Sequence, residues 1–159
     1  MTPDVVIGLD ASTTACKAVA WDAEGRQLAL GRGPLDLITP GPDLYEQDAD
    51  AWWQAACTAL REVSAQIPPA RLAGLAIAHQ RETFVLVDRQ GNPLRNAILW
   101  LDERSRPYLD HLGDRLGRDA FHKRTGKPLS GNLAPGKLAW LRDHQPDLLD
   151  QAFRLLDTH

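Results

Sequence analysis

The chain has 159 residues, of which 43% are hydrophobic and 25% charged, with a formal net charge of −3; this suits a soluble globular domain with a sizeable core. That balance offers no footprint for nucleic acid or a membrane surface, and no apolar run reaches the ~18–20 residues that span a bilayer. Cys16 and Cys57 form neither a disulfide framework nor a metal-ligand spacing, and Met1-Thr2-Pro3-Asp4 lacks the basic start of a secretory signal, so a reduced, cytoplasmic protein is expected.

The run Val5-Val6-Ile7-Gly8-Leu9 predicts a strand buried on both faces, ending at Asp10. A hydroxyl-rich turn, Ala11-Ser12-Thr13-Thr14, leads to a second strand over 15–22. Ala23-Glu24-Gly25 then turns the chain into a third strand over 26–33. Residues 34–48 carry three prolines and one glycine and read as a loop. A helix follows over 48–66, capped by Asp48 or Asp50 and stopped by Pro68-Pro69, with Trp53, Ala56, Leu60, Val63 and Ile67 as its apolar stripe. Residues 72–79 leave no polar face and read as another buried strand.

Strands are next predicted over 84–87 and 97–100, joined by the turn-like Asp88-Arg89-Gln90-Gly91-Asn92-Pro93. Helices are expected near 103–116, 134–144 and 146–153, and 153–157 opens a further strand. Asp110, Asp114 and Asp119 read as solvated helix faces, and Trp52 and Trp53 as core. The mixed order of strands and helices indicates an α/β fold.

Three strand ends carry residue types suited to chemistry. At the first, Asp10 can hold Mg²⁺ through water, because this hard cation prefers oxygen ligands. The hydroxyls of Ser12, Thr13 and Thr14 and the turn's backbone can bind phosphate oxygens, with Lys17 adding positive charge. The same residues suit an ordinary β-hairpin with a polar turn. At the second, His79-Gln80-Arg81-Glu82-Thr83 places long polar side chains between apolar runs. Arg81 donates and Glu82 accepts, a pairing that can hold several hydroxyls of a polyol; a surface turn with a salt bridge fits equally, and His79 reads as structural. At the third, the Trp100 indole can pack on a carbohydrate while Asp102 accepts hydroxyl protons. Alternatively, Trp100 lies in the core and Asp102 caps a helix. Asn132 stands in a loop close enough in order to join this set.

Together Ile7-Gly8-Leu9-Asp10-x-x-Thr13-Thr14, Tyr45-Glu46-Gln47-Asp48, Gln80-Arg81-Glu82-Thr83 and Asn96-Ala97-Ile98-Leu99-Trp100-x-Asp102-x-Arg104 resemble the FGGY carbohydrate kinases, which include glycerol kinase and xylulokinase. The likeness runs from residue 5 through Lys137-Leu138-Ala139-Trp140-Leu141. It implies an actin-like, ribonuclease-H-like α/β fold, with a mixed sheet and flanking helices, incomplete over 1–159. The family's two domains close over a cleft for MgATP and a small polyhydroxylated substrate. This chain would be the N-terminal part of the substrate-binding domain, without the C-terminal ATP-binding domain.

By the same resemblance, Asp10 belongs to the Mg²⁺ site and Ser12, Thr13, Thr14 and Lys17 to the phosphate turn. Gln80, Arg81, Glu82, Trp100, Asp102 and Asn132 belong to the substrate pocket. The full-length protein is expected to transfer the ATP γ-phosphoryl to a primary hydroxyl of a sugar or polyol, and to form a homodimer. The family's general-base Asp and second phosphate motif have no counterpart here, so this chain alone is expected to be inactive. Ser12 replaces the usual glycine of the phosphate motif. Gln80-Arg81-Glu82-Thr83 is glycerol-kinase-like, whereas Ala134-Pro135-Gly136-Lys137-Leu138 is xylulokinase-like, and Asn132 replaces a tyrosine of glycerol kinase. The acceptor is therefore open. Two alternatives are a non-catalytic sugar-binding module and a ribonuclease-H-like metal-dependent nuclease.

Overall fold

The computed structural model describes residues 2–158, which cluster into two compact units: 2–37, 48–80 and 158 in the first, 38–47 and 81–157 in the second. In chain order the elements are β1 (Val5–Ala11), β2 (Ala15–Trp21), β3 (Gln27–Pro34), β4 (Ile38–Gly41), β5 (Leu44–Gln47), α1 (Ala49–Ser64) and β6 (Leu72–His79). They continue with β7 (Phe84–Val87), β8 (Ala97–Ile98), α2 (Leu109–Leu116), α3 (Arg118–Thr125), α4 (Ala134–His144), α5 (Pro146–Gln151) and β9 (Arg154–Asp157). Among the described residues no helix is long and apolar enough to cross a membrane.

The first unit is a mixed sheet in the order β3-β2-β1-β6, antiparallel except where β1 pairs with β6. Val5, Ile7 and Leu9 point into its core, while Val6 and Asp10 face outward. The strand is thus buried on one face rather than two. Helix α1 covers the inner face, and the Asp48 side chain caps it by accepting the Asp50 N–H at 3.0 Å.

The predicted stripe of α1 holds at Val63 and Ile67, which are buried, and at Ala56 and Leu60, which pack partly buried against the core, but not at Trp53. Ala55, Ala59 and Val63 turn inward, while Trp53 is 74% exposed. Two glycines of β3 explain the choice. A Cβ on Gly31 would stand 2.0 Å from the Ala59 carbonyl oxygen, and one on Gly33 would stand 2.1 Å from that of Ala55. Backbone meets backbone here, so only the small-residue face of the helix fits.

Strand β6 also departs from its prediction. Its run is apolar, yet Leu75 and Ile77 are 47% and 59% exposed, because β6 is the edge of the sheet and α1 does not reach over it.

The second unit holds an antiparallel sheet, β4-β5-β8-β7-β9, backed by α4 and α5 around Phe84, Leu86, Ile98 and Leu141. Hairpin β4–β5 falls within residues expected to be a loop; its tight turn at Pro42-Asp43 is made possible by Asp43 at φ 56°. The expected helix over 103–116 begins only at 109, after a 3₁₀ turn at Arg106–Tyr108, and α3 is an additional element. Gly117, at φ 73°, breaks α2 from α3.

Candidate functional site

In the first unit the end of β1 opens the hydroxyl turn, closed by the Ser12 N–H donating to the Ala15 carbonyl at 3.1 Å. Asp10 lies on the face away from α1, in register with Lys17 on β2 and Ala78 on β6. Cross-strand partners share a face, and both Asp10 and Lys17 line one shallow groove of about 380 Å³. The Ser12 hydroxyl donates to the Asp10 carboxylate at 2.6 Å.

Gln80 belongs to this unit: its N–H donates to the Ala11 carbonyl at 3.0 Å, and its side-chain oxygen accepts the Thr13 hydroxyl at 3.2 Å. His79 turns its Nδ1 toward the Gln80 carbonyl and the Thr158 hydroxyl, consistent with a structural role. Among the described residues no three metal-ligating side chains cluster. One exposed carboxylate suits a Mg²⁺ that keeps its waters and is shared with phosphate, not a caged ion.

In the second unit, residues 81–83 lead into β7. Arg81 is exposed and, among the described residues, makes no ion pair. Glu82 is held at φ 60°, in the left-handed region, and its carboxylate pairs with Lys127. Buried Thr83 accepts the Trp100 N–H at 3.0 Å, tying this segment to the turn after β8. The Trp100 side of that turn is 39% exposed.

Beneath these loops lies a residue the sequence reading assigned no role. Lys137 on α4 is fully buried, and its ammonium donates to the carbonyls of Leu99 at 2.7 Å, Asn132 at 2.9 Å, Trp100 at 3.3 Å and Glu82 at 3.4 Å. Burial pulls its pKa down to about 8, with Asp102 and Glu82 opposing that fall. Its signal in the sequence is placement one helical turn before buried Leu141, on the inward face. Gly136 allows that close seating, since a Cβ there would stand 2.6 Å from the Ser105 Cβ.

Asp102 is buried rather than open to a ligand. Its carboxylate accepts the Tyr45 N–H at 2.7 Å, the Arg104 N–H at 3.0 Å and the Arg104 Nε and Nη2 at 2.7 and 2.8 Å. Arg104 also reaches Glu46 at 2.7 Å, and Glu46 pairs with Arg95. The motif residues Glu46, Asp102 and Arg104 therefore form one buried ion cluster that fixes β5 to the turn after β8. Burial pushes the Arg95 guanidinium down, partly offset by Glu46. The Asn132 side chain is exposed, at the turn that opens α4. A hollow of about 820 Å³ in this unit is bordered by Leu44, Tyr108, Trp140 and His144, and none of Arg81, Glu82, Trp100, Asp102 and Asn132 lines it.

A mixed sheet and an antiparallel one, with flanking helices and polar turns at the strand ends, place the chain in the class of the actin-like ATPase fold. Residues 5–159 match the N-terminal domain of the FGGY family of carbohydrate kinases. Glycerol kinase of Trichlorobacter lovleyi is 38% identical over 153 residues, covering 94% of this chain and 31% of that protein. Glycerol kinase of Methylorubrum extorquens is 38% identical over 145 residues, covering 89% and 29%. The crystal structure of xylulose kinase from Rhodospirillum rubrum superimposes with a TM-score of 0.91 at 28% identity, covering 97% of this chain and 32% of that one. The chain belongs to the FGGY family of carbohydrate kinases. It spans about a third of the length of the relatives it matches.

Proposed function

We propose that the full-length protein is a cytoplasmic kinase that transfers the γ-phosphoryl of ATP to a primary hydroxyl of a small sugar or polyol. This chain would be the N-terminal part of its substrate-binding domain. The observation that carries the reading is the trio Arg81, Glu82 and Trp100: an exposed cation, a carboxylate held in a left-handed backbone and a half-open indole. Donor, acceptor and apolar face are what binding a polyhydroxylated ligand requires.

In this reading Arg81 and Glu82 orient the hydroxyls, Trp100 packs against the carbon skeleton, and Asn132 adds an amide at the edge. Asp102 acts through the ion cluster that fixes the Trp100 turn. In the first unit Ser12, Thr13, Thr14 and Lys17 receive phosphate oxygens, Gln80 braces Thr13, and Asp10 holds Mg²⁺ through its waters. That ion supplies neutralisation of phosphate charge, and the residues of the chain supply positioning, which dominates phosphoryl transfer. Glycerol-type and xylulose-type acceptors both fit the relatives matched.

The test is steady-state kinetics of full-length Arg81→Ala and Glu82→Ala. Each should raise the KM for the sugar or polyol about tenfold or more while leaving the KM for ATP within about twofold. Equal effects on both KM values would assign these residues to something other than the acceptor.

A further inference from the structure

We propose that Lys137 is a positioning residue of the acceptor pocket, its ammonium holding the three loops that carry Glu82, Trp100 and Asn132 in the arrangement that receives substrate hydroxyls. The proposal rests on the acceptor reading given above. Three of the four carbonyls on the ammonium belong to Glu82, Trp100 and Asn132 themselves, and the fourth to Leu99 beside them. Each of those three residues thus turns its backbone oxygen inward to one cation while its side chain is left partly or fully exposed.

An ammonium has three donors, and here they are spent on backbone oxygens, with no carboxylate among the described residues bonded to it. Burying such a charge among dipoles is costly, whereas an apolar side chain would fill the space at no such cost. What the lysine adds is a common anchor for loops that come from three separate parts of the chain. Glu82 in particular sits at φ 60°, a conformation a residue with a Cβ adopts only when its surroundings impose it.

The anchor depends on charge. A neutral amine has two N–H groups and a lone pair that repels carbonyl oxygens, so the loops are released on deprotonation. The groups acting on Lys137 are Asp102, Glu82 and Glu103, which favour the proton, and Arg104, which opposes it; Lys127 neutralises the Glu82 carboxylate. With the folded pKa near 8, below the ordinary 10.5, acceptor affinity should fall as pH rises through about 8. Between those values the unfolded chain binds more protons, so this group's contribution to global stability rises with pH. Affinity and stability therefore move in opposite directions, which a merely structural lysine would not produce.

The experiment measures acceptor KM, ATP KM and kcat of the full-length protein from about pH 6 to pH 10, for the natural protein, Lys137→Met and Lys137→Arg. Lys137→Met should raise acceptor KM about tenfold or more, with ATP KM and kcat within about threefold, and lose the alkaline rise in acceptor KM. Lys137→Arg, which keeps the charge and the donors, should restore part of the affinity. Should Lys137→Met fail to fold, ¹⁵N resonances of the Lys137 ammonium in the natural protein give the second measurement. Their titration midpoint should coincide with the midpoint of the acceptor-KM rise. Acceptor KM unchanged in Lys137→Met, or flat with pH while Lys137 titrates, overturns the proposal alone. If the natural protein phosphorylates no sugar or polyol, the acceptor reading fails and the positioning role falls with it.

Discussion

Replacing Asp102 distinguishes a clamp from a substrate ligand. Its carboxylate and the Arg104 guanidinium are 0% and 2% exposed, and together with Glu46 and Arg95 they make a cluster of two cations and two anions. Asp102→Ala removes the acceptor of four hydrogen bonds and leaves the buried Arg104 and the partly buried Arg95 sharing one carboxylate. Breaking a buried pair by deleting one partner costs about 3–5 kcal/mol, a large share of the ~5–15 kcal/mol that holds a typical domain. Asp102→Asn keeps one oxygen for the Tyr45 N–H but turns an amide toward Arg104, and is expected to cost about 2 kcal/mol. Urea unfolding of the 159-residue chain, followed by circular dichroism and tryptophan fluorescence, reads both. Trp140 is a suitable reporter because the Arg104 guanidinium lies 4.7 Å over its ring. A loss below about 1 kcal/mol in Asp102→Ala, with the acceptor KM of the full-length variant strongly raised, would refute the clamp and make the carboxylate a direct substrate contact.

Two further substitutions test the packing of the first unit. Gly33→Ala should destabilise by about 3 kcal/mol, because its Cβ meets the Ala55 backbone and α1 must move off the sheet. Gly74→Ala, whose Cβ meets no atom within 4 Å, should be neutral or slightly stabilising in the same denaturation series. Ile77→Lys on the exposed edge strand β6 should lower aggregation of the isolated chain, measured by light scattering, with little loss of stability. A loss of several kcal/mol at Ile77 would mean that this side chain is buried.

Much of the fold is readable from the residues. The order of β1, β2, β3 and α1 follows from apolar runs separated by turn signals, and the four motifs in register carry the family. What escaped the reading has specific causes. Hairpin β4–β5 is hidden by Pro40 and Pro42, and depends on a left-handed Asp43 that composition does not reveal. The inward face of α1 depends on Gly31 and Gly33, more than a dozen residues earlier, which draw Ala55 and Ala59 into the core and leave Trp53 outside it. The apolar run of β6 reads as buried, but burial depends on position in the sheet, and β6 is at its edge. Strand-end polar residues stood out as candidates, whereas their supports did not. Lys137 looks like any helix lysine until three loops are seen to converge on it, and Glu46 gains its meaning only beside Arg95 and Arg104.

The central claim is phosphorylation of a sugar or polyol hydroxyl by the full-length protein. Its most direct test incubates that protein with MgATP and, separately, glycerol, xylulose, ribulose and gluconate, and reads ADP release together with the phosphorylated product. Acceptor-dependent ADP formation is expected with at least one of them, with stoichiometric phosphorylation of a primary hydroxyl. ADP release that no sugar or polyol stimulates, with no phosphorylated product, would contradict it.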